Sequence, residues 1–400
     1  MKRLLYLSNL RLPTEKAYGI QIAKMCEAFA EAGVNVELVY PYRKNPIKAD
    51  IFDYYSIKKI FKATKLPALD FYFFGAFDKT AVGLKSFISA VALVFYALFR
   101  KSDIIYSRDE LVLFLLSFFK KNLVFEAHRF SPKRSLFYNR FNNSGIKSVA
   151  ISEAVKKGLV NAGFAPNNIL VAPDGVDLIL FDINISKESA RVKVNLPDDK
   201  KIVLYSGHLF EWKGARILLE TAKLISNFKF PAPLGRGSFN KVERQISNVG
   251  NILFVFIGGT EHDIKSFRKK AEGLDNVLIL GHKPHSQIPT YLKAADVLVL
   301  PNSASDKISS YTSPLKLFEY MASGRPIIAS DLPSIREILN NQNSVLVKPD
   351  DPENMARGIG TILDDIASGD KLTQEARQDV ENYTWQKRVE KIMNFVKLEA

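Results

Sequence analysis

Between Ser313 and Ser330 the chain reads SPLKLFEYMASGRPIIAS, a segment whose residue types and spacing suit a phosphorylated ligand. Ser313 followed by Pro314 is a strong helix start, a side-chain cap with a proline in the first turn. The N–H groups of Leu315, Lys316 and Leu317 are then expected to lack carbonyl partners inside the helix, and such an end attracts anions, phosphate above all. Lys316 either adds charge there or solvates a face. Glu319 lies one turn further, on the side looking back toward the anion, where a carboxylate can accept hydrogen bonds from a ribose diol. Gly324 stops the helix, and RPIIAS reads as a strand. The segment suits a diphosphate with a sugar hydroxyl beside it.

Three other segments offer chemistry. In PTEKAYGIQ (13–21), Gly19 opens a helix and lets a ligand approach the backbone, although turn geometry alone also explains a glycine there. In FEAHRF (125–130), His128 follows a buried strand, where it can donate to a phosphate or sugar hydroxyl, line a reaction centre, or simply be a satisfied structural imidazole. In SGHLFEWKG (206–214), Gly207 ends a strand and Lys213 precedes the helix that Gly214 opens. An ammonium at that point offsets the charge on a leaving diphosphate, each charge-assisted hydrogen bond contributing about 1.5–3 kcal/mol. A solvated surface lysine is the plain alternative, and His208 is ambiguous in the same way.

Other chemistries find less support. Five scattered histidines and one cysteine show no metal-ligand spacing. There is no Gly-x-Ser-x-Gly elbow, no GxxxxGK[ST] phosphate loop and no GxGxxG, which argues against a nucleophilic serine and a dinucleotide cofactor.

The elements that must position these residues alternate strand and helix. Strands are expected at 3–8, 34–40, 103–108, 122–127, 148–152 and 167–173, with helices between them, the first over 18–32 and closed by Gly33. After a polar stretch the alternation restarts, with strands at 201–207, 251–259, 276–281, 296–301, 326–330 and 343–350. Near-continuous apolar strands suit parallel sheets covered on both faces. The expected architecture is α/β: two doubly wound, Rossmann-like domains, 1–175 and 201–375, joined by a connector at 176–200 and facing each other across a cleft. Loops after the strands are where ligands should bind. Phe228–Asn248, with its prolines, glycines and basic residues, reads as a surface insertion.

Bulk properties agree with this plan. At 400 residues the chain is long enough for two such domains. Cys26 alone cannot form an internal disulfide, which fits a reducing, cytoplasmic compartment, and MKRLLYLSNL runs straight into a strand pattern without a secretory leader. The net charge of +14 favours anionic partners: nucleic acid, anionic lipid or phosphorylated small molecules. The apolar run Phe87–Phe99 reads as too short to span a bilayer comfortably, hence as a core helix first, one lying on the inner membrane face second and a spanning helix a remote third.

Taken together, AYGIQIAKMCEAFAEAGVNVELV, FEAHRF, YSGHLFEWKGARILLETA, GHKPHSQIPTYLKAADVLVLP and SPLKLFEYMASGRPIIASDLPSIREIL resemble the retaining glycosyltransferases of family 4, of GT-B architecture, over nearly the whole chain. The resemblance implies a UDP- or GDP-linked sugar donor on the second domain, a glycan or lipid-linked acceptor on the first, and neither metal nor other cofactor. It assigns Lys213 and the N–H groups of Leu315 and Lys316 to the diphosphate, and Glu319 to ribose. His128 goes near the anomeric carbon and the main chain around His282 and Lys283 to the base. It implies that the leaving phosphate itself takes the acceptor's proton, and that a terminal helix, 376–400, packs back toward the first domain. Two positions depart from the family pattern. Tyr311 stands where the first glutamate of Glu-x(7)-Glu is usual, which puts sugar identity in question, and His208 replaces a common arginine.

Rival readings are a nucleotide-sugar 2-epimerase of the same fold, a non-catalytic nucleotide-sugar-binding subunit and a nucleic-acid-binding protein. The last lacks its usual stripes of basic residues with interleaved aromatics.

Overall fold

The computed structural model of this chain describes residues 1–70, 78–227, 251–305, 309 and 311–398; the expected insertion at 228–248 lies outside them. The chain divides into two compact units, Met1–Gly175 with Trp385–Ala400, and Val176–Thr384.

The first unit is built on a seven-stranded sheet: β1 (Arg3–Leu7), β2 (Asn35–Pro41), β3 (Lys62–Leu66), β4 (Ile104–Ser107), β5 (Leu123–Ala127), β6 (Lys147–Ala150) and β7 (Ile169–Val171). Their order is β3-β2-β1-β4-β5-β6-β7, and every pairing is parallel. β1 and β5 are apolar at almost every position and buried along most of their length, because helices cover both faces of such a sheet. The order reverses at β1 and β4, and the loops following these strands open at that switch point.

The apolar run read as too short for a bilayer sits in a longer element, the 21-residue helix Asp78–Leu98. Its window Ala81–Leu98 has a mean hydropathy of 1.9 and is 39% buried, so by length and composition it suffices to cross a membrane. The closing helix, Trp385–Val396, puts Trp385, Arg388, Val389 and Ile392 on its buried face and packs on the helix Ala17–Glu31.

The second unit repeats the plan with β8 (Lys201–Ser206), β9 (Ile252–Ile257), β10 (Val277–Gly281), β11 (Val297–Leu300), β12 (Ile327–Ser330) and β13 (Val345–Val347), all parallel, in the order β10-β9-β8-β11-β12-β13. Apolar clusters fill both sides of this sheet. Residues 176–200, read as a connector, form the helices Leu178–Phe181 and Lys187–Val194 of this unit. Arg191 Nη2 anchors the second of them, 2.6 Å from Asp296 Oδ2 just before β11. The helix Ile366–Val380 also belongs here, and the chain re-enters the first unit at Trp385 rather than at 376.

Candidate active site

In the second unit the expected residues gather at the carboxyl end of β8, the switch point of that sheet. The helix Leu315–Ser323 starts there, pinned by Tyr320, whose hydroxyl accepts from the Ser206 amide at 2.8 Å. Pro314 rather than Ser313 is the N-cap, in an extended conformation that proline favours, and it has no side-chain hydrogen bond to give this end. The Leu317 amide donates to Pro314 O at 2.9 Å, so among the described residues two amides, those of Leu315 and Lys316, are left to receive an anion where three were expected. Gly324 ends the helix in the left-handed region, φ 67°, as its sequence position suggests.

Lys316 does not solvate a face. It is 7% exposed, its Nζ lies 4.0 Å above the Tyr205 ring, and that ammonium has no hydrogen-bond partner among the described residues. Burial, and next the charge of Lys213, push its pKa well below the ordinary value. Lys213 ends the turn Glu211–Lys213, its Nζ 4.2 Å from the Trp212 ring, and burial lowers it to about 8. Two cations of lowered pKa in mutual repulsion make a site that gains by receiving negative charge.

Glycines bring the surrounding backbone close. Gly207, φ 139°, lies against Tyr205 and the Lys316 stem, and a Cβ on Gly258 would sit 2.4 Å from Gly207 O. His208 stacks flat on Phe210, ring centroids 4.8 Å apart. Glu319 Oε1 is 2.9 Å from His285 Nε2, and Phe181 meets that imidazole edge-on. His285 escaped the sequence reading, although it stands in the same GHKPHSQ segment as His282 and Lys283. His282 is exposed, and Lys283 reaches over the Tyr291 ring at 5.8 Å.

Gly19 and His128 lie in the first unit. A Cβ on Gly19 would fall 2.0 Å from Tyr55 Oη, so internal packing by itself requires glycine there. His128 borders a cavity of about 590 Å³ lined also by Tyr6, Ser8, Tyr18, Arg108 and Arg134. At its base is an ionic cluster around Glu126, which is 1% exposed. Glu126 Oε1 accepts from Gln21 Nε2 at 2.6 Å and Arg388 Nη2 at 2.7 Å, and lies 2.8 Å from His128 Nε2. Burial alone would raise this carboxyl. Arg388 foremost, then His128 and Arg108, hold it instead far below the usual carboxylate range. Burial, then Arg108, push the His128 imidazole below its ordinary value, and burial raises Asp174.

Glu126, His128 and Asp174 place potential ligand atoms within 4.8 Å of one another, a grouping that sequence spacing hides. Arg388 already occupies the Glu126 oxygen that faces His128, and Arg108 adds a second positive charge nearby, so the donor set is poorly suited to a metal cation. The signal for Glu126 was a charge inside an apolar strand, and for Arg388 a charge on the buried stripe of an amphipathic helix.

With this geometry in hand, residues 186–379 match the family model "Glycosyl transferases group 1", most of the second unit. Among curated proteins the chain is similar to D-inositol 3-phosphate glycosyltransferase 1 of Catenulispora acidiphila, 25% identical over 239 residues, covering 58% of this chain and 52% of that protein. The chain thus matches about half the length of that relative. The fold is shared with sucrose-phosphate synthase from Thermosynechococcus elongatus, at a TM-score of 0.74 and 20% identity, covering 99% of this chain and 98% of that one. It is shared too with Anabaena HepE in complex with UDP, at a TM-score of 0.71 and 16% identity, covering 99% and 100%.

Proposed function

We propose, from a second unit that carries a group 1 glycosyltransferase domain, that this protein transfers a sugar from a nucleoside diphosphate to an acceptor with retention of anomeric configuration. The observation that supports this most is Lys316, a buried ammonium without a hydrogen-bond partner among the described residues, set at a helix N-terminus beside Lys213. The two lysines and the Leu315 and Lys316 amides would hold the diphosphate. Glu319, with one oxygen facing His285, would take the ribose hydroxyls, and backbone around His282 and Lys283 the base.

In the transfer, the bond between the anomeric carbon and the diphosphate oxygen breaks. The acceptor oxygen bonds to that carbon on the same face, and its proton passes to the departing phosphate. Fixed cations and helix amides stabilise the charge that develops on the leaving group, the task that a metal ion performs elsewhere. The first unit's cavity, with His128 at its border, would receive a glycan or a lipid-linked acceptor, and the basic, apolar-rich surface of that unit would rest on anionic lipid. The reaction would serve assembly of a cell-surface glycan.

Titration of the protein with UDP and GDP, followed by turnover of their sugars, tests this reading. Lys316→Met should weaken nucleoside-diphosphate binding at least about tenfold, the loss of one charge-assisted contact of about 1.5–3 kcal/mol. Glu319→Gln should lower turnover while the melting temperature stays. If neither nucleotide binds, the reading fails. An isomerised nucleotide-sugar formed without acceptor would point instead to an epimerase.

A further inference from the structure

The last helix of the chain carries an arginine into the base of the first unit's cavity. Arg388 is 3% exposed, and its guanidinium joins three elements of that unit. Nη2 donates to Glu126 Oε1 on β5 at 2.7 Å, and Nε to Pro173 O, next to Asp174, at 2.9 Å. Nη1 meets Met25 Sδ on the helix Ala17–Glu31 at 2.9 Å. An ionised carboxylate only accepts hydrogen bonds, so the imidazole facing it must donate from Nε2. We infer that Arg388 is a positioning residue for His128: by balancing the Glu126 carboxylate it leaves the imidazole uncharged, with Nε2–H held by Glu126 and Nδ1 as the ring's acceptor.

The charge count explains why an arginine is needed. Glu126 without Arg388 would be a buried anion, which finds its counter-charge in the nearest titratable base. That base is His128, 2.8 Å away. A proton on Nδ1 turns the acceptor into a donor, so the ring can no longer accept a hydrogen bond from a hydroxyl at that nitrogen. The titratable groups that face the pair are Arg108, Asp174, Tyr6, Tyr106 and Cys26, along with Arg388. Arg108 Nη1 donates to Gln21 Oε1 at 2.8 Å, and Gln21 donates on to Glu126, so Arg108 reaches the carboxylate through an amide rather than directly. Arg388 is the guanidinium in direct contact. Lysine at this position would keep the charge but lose the fork that spans three partners.

The electrostatic claim stands on the first unit alone; its consequence for turnover rests on the function proposed above, and two readouts separate them. The first is the two-bond ¹H–¹⁵N spectrum of the ¹⁵N-histidine-labelled full chain, with His128→Asn assigning the signal. In the unaltered protein His128 should be the neutral Nε2–H tautomer near pH 7. In Arg388→Gln, which keeps donors without charge, its titration midpoint should rise by about one pH unit or more. In Arg388→Lys the midpoint should stay near that of the unaltered protein. A midpoint unchanged or lowered in the glutamine variant, or a wild-type imidazole protonated on both nitrogens, overturns the inference. If Arg388→Gln does not fold, Gln21→Leu, which strips one donor from Glu126 without a charge change, is read by the same spectrum and should raise the midpoint by a smaller step, with no rise counting against. The second readout is sugar transfer. Arg388→Gln should lower kcat by about 100-fold with KM for the nucleotide-sugar little changed, as misorientation at a reacting centre does. Absence of transfer by the unaltered protein would refute the proposed function and leave the spectroscopic result standing.

Discussion

Lys213 is a cation at reduced strength. Burial brings its pKa from 10.5 to about 8. An anion binds the charged form, so affinity for UDP or GDP should fall as pH rises through about 8, and should fall less steeply in Lys213→Met, where Lys316 alone still titrates, as read by calorimetry across that range. The same shift has a stability consequence of defined sign. Between about 8 and 10.5 the unfolded chain holds a proton on this lysine that the ligand-free native state has released. Stability contributed at this site therefore increases with pH across that window, relative to Lys213→Met. At this scale the sequence was legible where chemistry is local. Lys213, Lys316 and Glu319 announce themselves by their places beside strand ends and a helix start. Arg388 and Glu126 do not, because 262 residues separate them and only the folded sheet brings them together. Pro314 displaced Ser313 from the cap for a related reason, since Tyr320 and β8, not the local cap, fix where that helix begins.

Strands and helices were read correctly wherever burial covers both faces. β8, β9, β11 and β12 are buried at nearly every position and appear as apolar runs. β3, with the sequence KATKL, was missed because it forms the sheet edge, where one side meets solvent and lysine is favoured. What holds it is pairing: Lys62 is the register partner of Glu37 on β2, Nζ 2.9 Å from its carboxylate, and Thr64 donates to the same group at 2.6 Å. No periodicity in the segment reveals that. The turn carrying Lys213 depends on a different device. Gly214 has φ 74°, and a Cβ there would lie 1.5 Å from Pro301 O, after β11. Backbone, not a flexible side chain, blocks that space. Gly214→Ala should cost at least about 2–3 kcal/mol in urea denaturation, from positive-φ strain plus a forced shift. It should weaken nucleotide binding as well, because the turn sets Lys213. A stable variant with unaltered binding would show that this turn does not position the lysine.

For the whole molecule, the repetition of one sheet plan in two units was visible as two runs of strand–helix alternation, while the exact hand-over points were not. The polar stretch 176–200 looks like a linker because its helices are short and amphipathic, yet Arg191 and Asp296 commit it to the second unit. Surface character is where composition and structure meet. The helix Asp78–Leu98 exposes Leu84, Phe87 and Phe95 on one side, with Phe99 just past its end, 83% exposed, followed by Arg100 and Lys101. A long apolar stripe left to solvent with cations at its end, in a chain of net charge +14, suits an interface with anionic lipid, apolar side chains entering the acyl boundary and cations meeting headgroups. Each cation near such a surface adds about 1 kcal/mol, and that part is screened by salt, whereas the apolar part is not. Liposome flotation should therefore show binding to vesicles containing phosphatidylserine, weaker binding as salt rises, and little to neutral vesicles. The double change Phe87→Ser and Phe95→Ser should abolish what remains at high salt with little change in the melting temperature, since both rings are at least half exposed, Phe87 at the rim of the cavity that holds His128. Equal flotation with neutral and anionic vesicles, or binding indifferent to the double change, would show that this face of the helix does not meet lipid.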